Sequence, residues 1–397
     1  MRLLSKKINR IQESATLAMS RKSRELQKEG KDIINLSLGE PDFHTPNFIK
    51  ESAKKAIDEN FSKYTPVAGY QDLLQSISSK FKRDNNLIYK PNQIVCSTGA
   101  KQSIAQLLMV LINQGDEVII PAPYWVSYYQ MVQLVDGLPI VIKTSLNNNF
   151  KITAEKLESK ITKKTKVFLF SSPCNPTGSV YSKEELHQLA EVFKKNKHVI
   201  IISDEIYEHI NFNKKHFSIG AIESVRDQVV TVNGLSKGYA MTGWRFGYLG
   251  APEIIASACI KMQGQITSAT CSITQRAALT ALNASPSCTH VMRDQFKKRR
   301  DLMISLLSEI KDLEINTPEG AFYIFPNVKK YLGKKYKNQK INTSSDLAMC
   351  LLKKAGVSTV SGCAFGADDY IRISYAAADK KLIKACELIK NCLEQII

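Results

Sequence analysis

Residues 229–247 read VVTVNGLSKGYAMTGWRFG. The stretch opens with four apolar or β-branched residues, 229–232, and passes at once into small residues around Lys237. A run without in/out alternation predicts a strand covered on both faces, as in a mostly parallel sheet with helices on each side. A lysine between small residues at the end of such a strand can lie in a dry pocket, where its amine sheds its proton more easily and attacks a carbonyl. Ser236 beside it and Arg245 eight residues on are both suited to holding a phosphate. Residues 234–238 also satisfy G-x-S-x-G, the turn that presents a serine nucleophile in hydrolases. That chemistry needs an acid and then a histidine downstream, and the only later histidine, His290, heads an expected long helix. Chemistry centred on Lys237 is the better reading.

Working outward, similar apolar runs occur at 94–96, 117–120, 140–142, 167–170 and 199–202. Amphipathic helical patterns lie between them, for example 101–113 and 182–195, the second opened by a Ser182-x-x-Glu185 capping box. This alternation predicts an α/β large domain over residues 45–289. Near residue 290 the texture changes to one charged helix, about 290–311, followed by a strand at 321–325, a Lys-rich loop and a helix at 345–354. Strands near Val357 and Ile371 and a terminal helix from about Ala378 complete a smaller α+β domain, 290–397. The N-terminal segment, 1–44, with its helix and a strand at 33–38, is expected to pack with that smaller domain.

Composition narrows the function classes. The 397 residues carry 55 Lys+Arg against 37 Asp+Glu, a formal charge of +18 that invites a nucleic-acid reading. Yet 43 of the basic residues are Lys and only 12 are Arg, spread along the chain, with the densest run, 334–337, in the expected loop. Arg is the side chain that reads phosphates and base edges in a fork, so the excess is read as a solvated surface, with no nucleic-acid partner. No apolar run approaches the ~20 residues of a membrane span. The basic, Ser-containing stretch 1–24 raises a mitochondrial presequence, against which Glu13 and Glu25 argue. The nine cysteines are odd in number and scattered, with no C-x-x-C, as expected of a reduced, cytoplasmic chain without structural zinc.

Three further motifs accompany Lys237. Ser203-Asp204-Glu205-Ile206-Tyr207 follows an apolar strand, which places a carboxylate outside the carboxyl end of the sheet. A metal cluster of Asp204, Glu205, Glu208 and His209 is disfavoured because side chains of a strand or turn diverge. Residues 172–178, SPCNPTG, set Asn175 between two prolines, a rigid mounting for one side chain. Residues 97–102, STGAKQ, lead from a strand into a helix, where free N–H groups can hold a phosphate. There is neither a P-loop nor a G-x-G-x-x-G.

With SDEIYEH, SPCNPTG, SKGYAMTGWR and IRISYA in order, and Ser14-Ala15-Thr16 near the start, the chain resembles the fold-type I, class I aminotransferases that use pyridoxal 5'-phosphate. Within them it is most similar to bacterial aspartate aminotransferases, over essentially its whole length. The resemblance implies a seven-stranded-type sheet and a cleft between two domains. It implies that Lys237 binds the cofactor covalently and moves a proton at the substrate Cα, and that Asp204 pairs with the ring nitrogen. Tyr207 and Asn175 would bind the ring's phenolic oxygen. Arg245, Ser236 and the backbone of Ala100 and Lys101 would hold the phosphate, with Tyr64 reaching over from a second subunit, and Trp125 would stack on the ring. Such a homodimer shares its active sites.

Arg372 lies in an otherwise apolar strand, 371–375, where a guanidinium needs a partner. The resemblance gives it the substrate α-carboxylate, joined by the backbone of Gly39, while Trp125 and Asn175 also line the substrate. Lys101 would take the second carboxylate of aspartate or glutamate. The expected reaction is a ping-pong transfer between L-aspartate and 2-oxoglutarate through pyridoxamine phosphate. Prephenate or broader acidic and aromatic transamination is the alternative, disfavoured by Gln12 where a basic residue accompanies prephenate activity. A basic nucleic-acid-binding protein on the same scaffold would need an appended module, and the enzyme-like region consumes the chain.

Overall fold

The run at 229–232 lies in strand Val229–Gly234, buried at every residue, within a seven-stranded sheet. In the computed structural model, which describes residues 3–212 and 215–397, the strands lie side by side in a fixed order. That order is Ile94–Ser97, Gly247–Gly250, Val229–Gly234, Ile200–Asp204, Thr165–Ser171, Glu117–Ala122 and Leu138–Lys143. Residues 1–2 of the expected N-terminal segment and 213–214 of the expected large domain lie outside the described residues. All six apolar runs are strands of this sheet, in accord with the expected α/β architecture.

Two strands depart from expectation. Gly247–Gly250 runs antiparallel to both of its neighbours and carries none of the β-branched residues that mark the others. Its glycine ends permit close approach: a Cβ on Gly247 would stand 2.2 Å from the backbone nitrogen of Ala100. Leu138–Lys143 was expected to be covered on both faces but is mostly half-buried, because it forms the edge and pairs only with Glu117–Ala122.

Helix Lys183–Lys195 starts with the expected box, Glu185 N–H donating to Ser182 Oγ at 3.2 Å and Ser182 N–H to Glu185 Oε2 at 2.7 Å. Its apolar stripe, Leu186, Leu189, Ala190 and Phe193, covers one face of the sheet beside Phe168 and Phe170. Helix Ala100–Leu111 covers the other, with Ile104, Leu107 and Leu108 against Val95, Val232 and Leu249.

The C-terminal part centres on a core in which Phe296, Met303 and Leu307 meet Phe322, Ile324, Leu347, Leu382 and Ile389, joined by Leu36, Tyr207 and Ile210. Strands Val360–Ser361, Ile371–Ser374 and Tyr323–Ile324 form an antiparallel sheet there. Ile34–Asn35 pairs in parallel with Val357–Ser358, so the N-terminal strand joins this part. The charged helix is Ser287–Ser308, and it is built into the core: buried Arg299 pairs with Asp42 and Asp379. The Lys-rich segment is not only loop, since Lys335–Tyr336 and Gln339–Lys340 pair as a short hairpin with Tyr336 turned inward. Among the described residues no helix is long and apolar enough to cross a membrane.

Candidate active site

Parallel register brings the strand ends into line, with Ser171 beside Asp204 and Asp204 beside Val232, and the antiparallel strand sets its first residue, Gly247, beside Gly234. At such a row of carboxyl ends, side chains from many loops converge on one crevice. A cavity of about 430 Å³ lies there, and every residue expected at the site except Tyr64 lines it. Tyr64 is 97% exposed and stands away from this cavity in its own chain.

The Lys237 amine donates to the carbonyl of Gly39 and stands 5.8 Å from the ring centre of Tyr207. Burial lowers its pKa to about 8, against the upward pull of Glu40. A lysine so placed holds a useful fraction of neutral, nucleophilic amine near neutral pH.

Asp204 is buried, takes a hydrogen bond from the hydroxyl of Tyr128 at 2.6 Å and accepts the Ile206 N–H at 3.3 Å. Burial lifts its pKa to about 6, and the Tyr128 bond offsets part of that rise. It remains mostly ionised at pH 7 and above, fit to face a protonated ring nitrogen. Its sequence neighbours go elsewhere. Glu205 binds His216 at 2.9 Å and Ser218, and Glu208 binds buried Lys80 and Asn85. The acidic cluster therefore diverges, each carboxylate to its own partner.

On the anion side, the first hydrogen bond of helix Ala100–Leu111 is Gln102 N–H to the carbonyl of Gly99. The N–H groups of Ala100 and Lys101 precede it and point out of the helix end, where the dipole favours negative charge. Arg245 reaches the same place, donating to the carbonyls of Thr98 at 3.3 Å and Thr242 at 2.8 Å, with Ser236 beside it on the cavity wall.

Arg372 is 1% exposed, yet it has no carboxylate partner among the described residues. Its guanidinium donates to Asn175 Oδ1 at 2.8 Å and to the carbonyl of Ser37, and its Nε is unpaired. Tyr323 and Phe365 sandwich it at 4.5 and 5.1 Å. A buried cation of this kind is completed by an anionic ligand. Lys101, on the same cavity wall, stands over the ring of Trp125 at 5.1 Å, its pKa lowered by burial and then by Arg245.

Two lining residues carried no mark in the sequence. Tyr128 follows Trp125 by three positions in a tyrosine-rich helix start, and Tyr323 sits in an aromatic strand that reads as plain core. A second cavity of about 280 Å³ adjoins the first, sharing Ser14, Lys101, Val126 and Ser127, and Gln12 lines it.

An open helix end with an arginine, a buried carboxylate, an amine of lowered pKa and an uncompensated guanidinium together fit pyridoxal 5'-phosphate and a carboxylate substrate. Comparison with known proteins agrees. Residues 31–389 match the family model described as aminotransferase class I and II. The chain is 46% identical to a probable aspartate/prephenate aminotransferase of Rickettsia conorii over all of both chains. It is 45% identical to the aspartate/prephenate aminotransferase of Cereibacter sphaeroides, over 98% of each. Among solved structures it superposes on the aspartate aminotransferase of Rhizobium meliloti with TM-score 0.96, 38% identity and full coverage of both chains. The Thermus thermophilus aspartate aminotransferase with maleate gives TM-score 0.93 and 36% identity, over 99% of this chain and 100% of that one.

Proposed function

Because the chain belongs to the class I and II aminotransferases and uses pyridoxal 5'-phosphate, we propose that it exchanges amino groups between L-aspartate and 2-oxoglutarate, giving oxaloacetate and L-glutamate. The observation that carries this reading is the pair of cations lining one cavity: Arg372, buried and without a carboxylate partner among the described residues, and Lys101 over Trp125. They suit a substrate with an acid group at each end.

Bound, the cofactor supplies an electron sink for the pair released when the substrate Cα–H breaks. The chain's residues do the rest. Arg372 grips the α-carboxylate with the Gly39 backbone beside it, and Lys101 takes the distal carboxylate. Lys237 first anchors the cofactor and then, as a free amine, takes and returns the Cα proton. Asp204 keeps the ring nitrogen protonated, and Tyr207 with Asn175 steadies the phenolic oxygen. Ser236, Arg245 and the N–H groups of Ala100 and Lys101 hold the phosphate. Trp125 covers the ring.

The proposed organisation is three segments, 1–44, 45–289 and 290–397, with the cleft closing as substrate joins Arg372 to the Lys237 side. The proposed working unit is a cytoplasmic homodimer in which Tyr64 completes the neighbouring phosphate site. An amino-donor panel against 2-oxoglutarate, read beside the absorbance spectrum, tests the substrate. Turnover of aromatic or aliphatic donors without aspartate would remove the aspartate assignment.

The adjoining cavity lined by Gln12 favours one second reading, prephenate as acceptor, since it gives room beside Lys101 for a larger dicarboxylate. Prephenate turnover by the unaltered protein would support it, whereas turnover gained only in Gln12→Lys would support Gln12 as the residue that disfavours prephenate.

A further inference from the structure

We propose that Tyr323 is the positioning residue that ties the cofactor end of the site to the carboxylate end. Its hydroxyl fixes Tyr207 as a donor toward the cofactor's ring oxygen, and its ring carries the guanidinium of Arg372. The proposal deepens the reading given above and rests on its roles for Tyr207 and Arg372.

Tyr323 is fully buried, in strand Tyr323–Ile324, and lines the cavity. Its hydroxyl lies 2.6 Å from that of Tyr207, with the rings edge to face at 5.8 Å. The Arg372 guanidinium lies 4.5 Å from its ring centre, within cation–π range. The backbone closes over the hydroxyl at Gly39, where an added Cβ would stand 2.3 Å from the Tyr323 oxygen. The same Gly39 carbonyl receives the Lys237 amine. One side chain thus touches three of the groups that the reaction needs in register.

Proton count fixes the direction. A hydroxyl donates once, so only one of the two tyrosines supplies the proton between them. If Tyr207 donates to the ring oxygen, the shared proton belongs to Tyr323. The order is then Tyr323 to Tyr207 to cofactor, and each donated bond strengthens the next. Removing the Tyr323 hydroxyl leaves Tyr207 with an empty acceptor position and a weaker donation.

The test uses the holoenzyme and two variants that separate hydroxyl from ring. In Tyr323→Phe, the pH midpoint of the cofactor's visible absorbance change should rise by about half a unit. Binding of maleate, an unreactive dicarboxylate, should stay within about twofold, because the ring remains over Arg372. In Tyr323→Leu, maleate affinity should fall by about tenfold as well. Adding Tyr323→Phe to Tyr207→Phe should move the midpoint no further than Tyr207→Phe alone. A midpoint that moves in Tyr207→Phe but not in Tyr323→Phe overturns the relay and leaves the Tyr207 role intact. A midpoint unmoved by Tyr207→Phe overturns both. Unchanged maleate affinity in Tyr323→Leu overturns the Arg372 half.

Discussion

The amine of Lys237 donates to the backbone carbonyl of Gly39, 198 residues earlier in the chain. The bond holds the amine in the cavity wall, between Tyr207 and the N-terminal segment. Desolvation there lowers its pKa to about 8. Uptake of pyridoxal 5'-phosphate by the apoprotein should therefore accelerate as pH rises through about 8, as the neutral amine grows. Stopped-flow absorbance would follow it. Lys237→Ala should lose the covalently held cofactor band and at least about 10³-fold in turnover.

Asp204 gives a prediction of opposite sense. Its folded pKa is about 6, raised by burial, while an unfolded aspartate titrates near 4. Between those values the folded state binds more protons, so apoprotein stability should fall as pH rises from about 4 to 6. The loss is about 2–3 kcal/mol. Asp204→Asn should flatten that slope in denaturant titrations across the window. The variant should also lose about 10²-fold or more in turnover, since an amide cannot keep the ring nitrogen protonated.

Arg372→Leu should separate binding of substrate from binding of cofactor. The KM for aspartate and for 2-oxoglutarate should both rise by about 10²-fold, the expected cost of a lost bidentate charge pair. Cofactor content by absorbance should be unchanged. Loss of cofactor instead would show that Arg372 serves the fold more than the substrate.

Lys80 and Glu208 form a fully buried ion pair, with Asn85 donating to the same carboxylate at 2.6 Å. Burial would raise the Glu208 pKa, but Lys80 and then His209 hold it down to about 2. Lys80→Met strands the carboxylate and should cost about 3–5 kcal/mol in urea unfolding. Lys80→Met with Glu208→Leu should recover much of that loss.

Lys237, Asp204 and Asn175 were legible as positions because each follows an apolar run within a few residues, and the segment beyond a buried strand is where a polar side chain stands out. Tyr128 and Tyr323 were not. An aromatic residue in a core element has the same pattern whether or not its hydroxyl meets a functional group, and only the fold reveals that meeting. Nothing in the sequence marked Lys80 of helix Gln71–Asn85 as buried, because its partner Glu208 lies 128 residues away. Strand Gly247–Gly250 was hidden for a related reason, since its glycines serve close approach, Gly247 to Ala100 and Gly250 to Tyr89, at the expense of strand propensity.

The antiparallel strand Gly247–Gly250 has one more consequence, for the order in which the protein becomes itself. Arg245, just ahead of it, meets the carbonyl of Thr98 only once that strand has slotted between Ile94–Ser97 and Val229–Gly234. Until then the two halves of the proposed phosphate cradle are 147 residues apart in sequence. Cofactor binding is thereby a gauge of whether the sheet is complete. By mass action a ligand held by Arg245 would also clamp this strand between its neighbours, resisting the fraying that would open it.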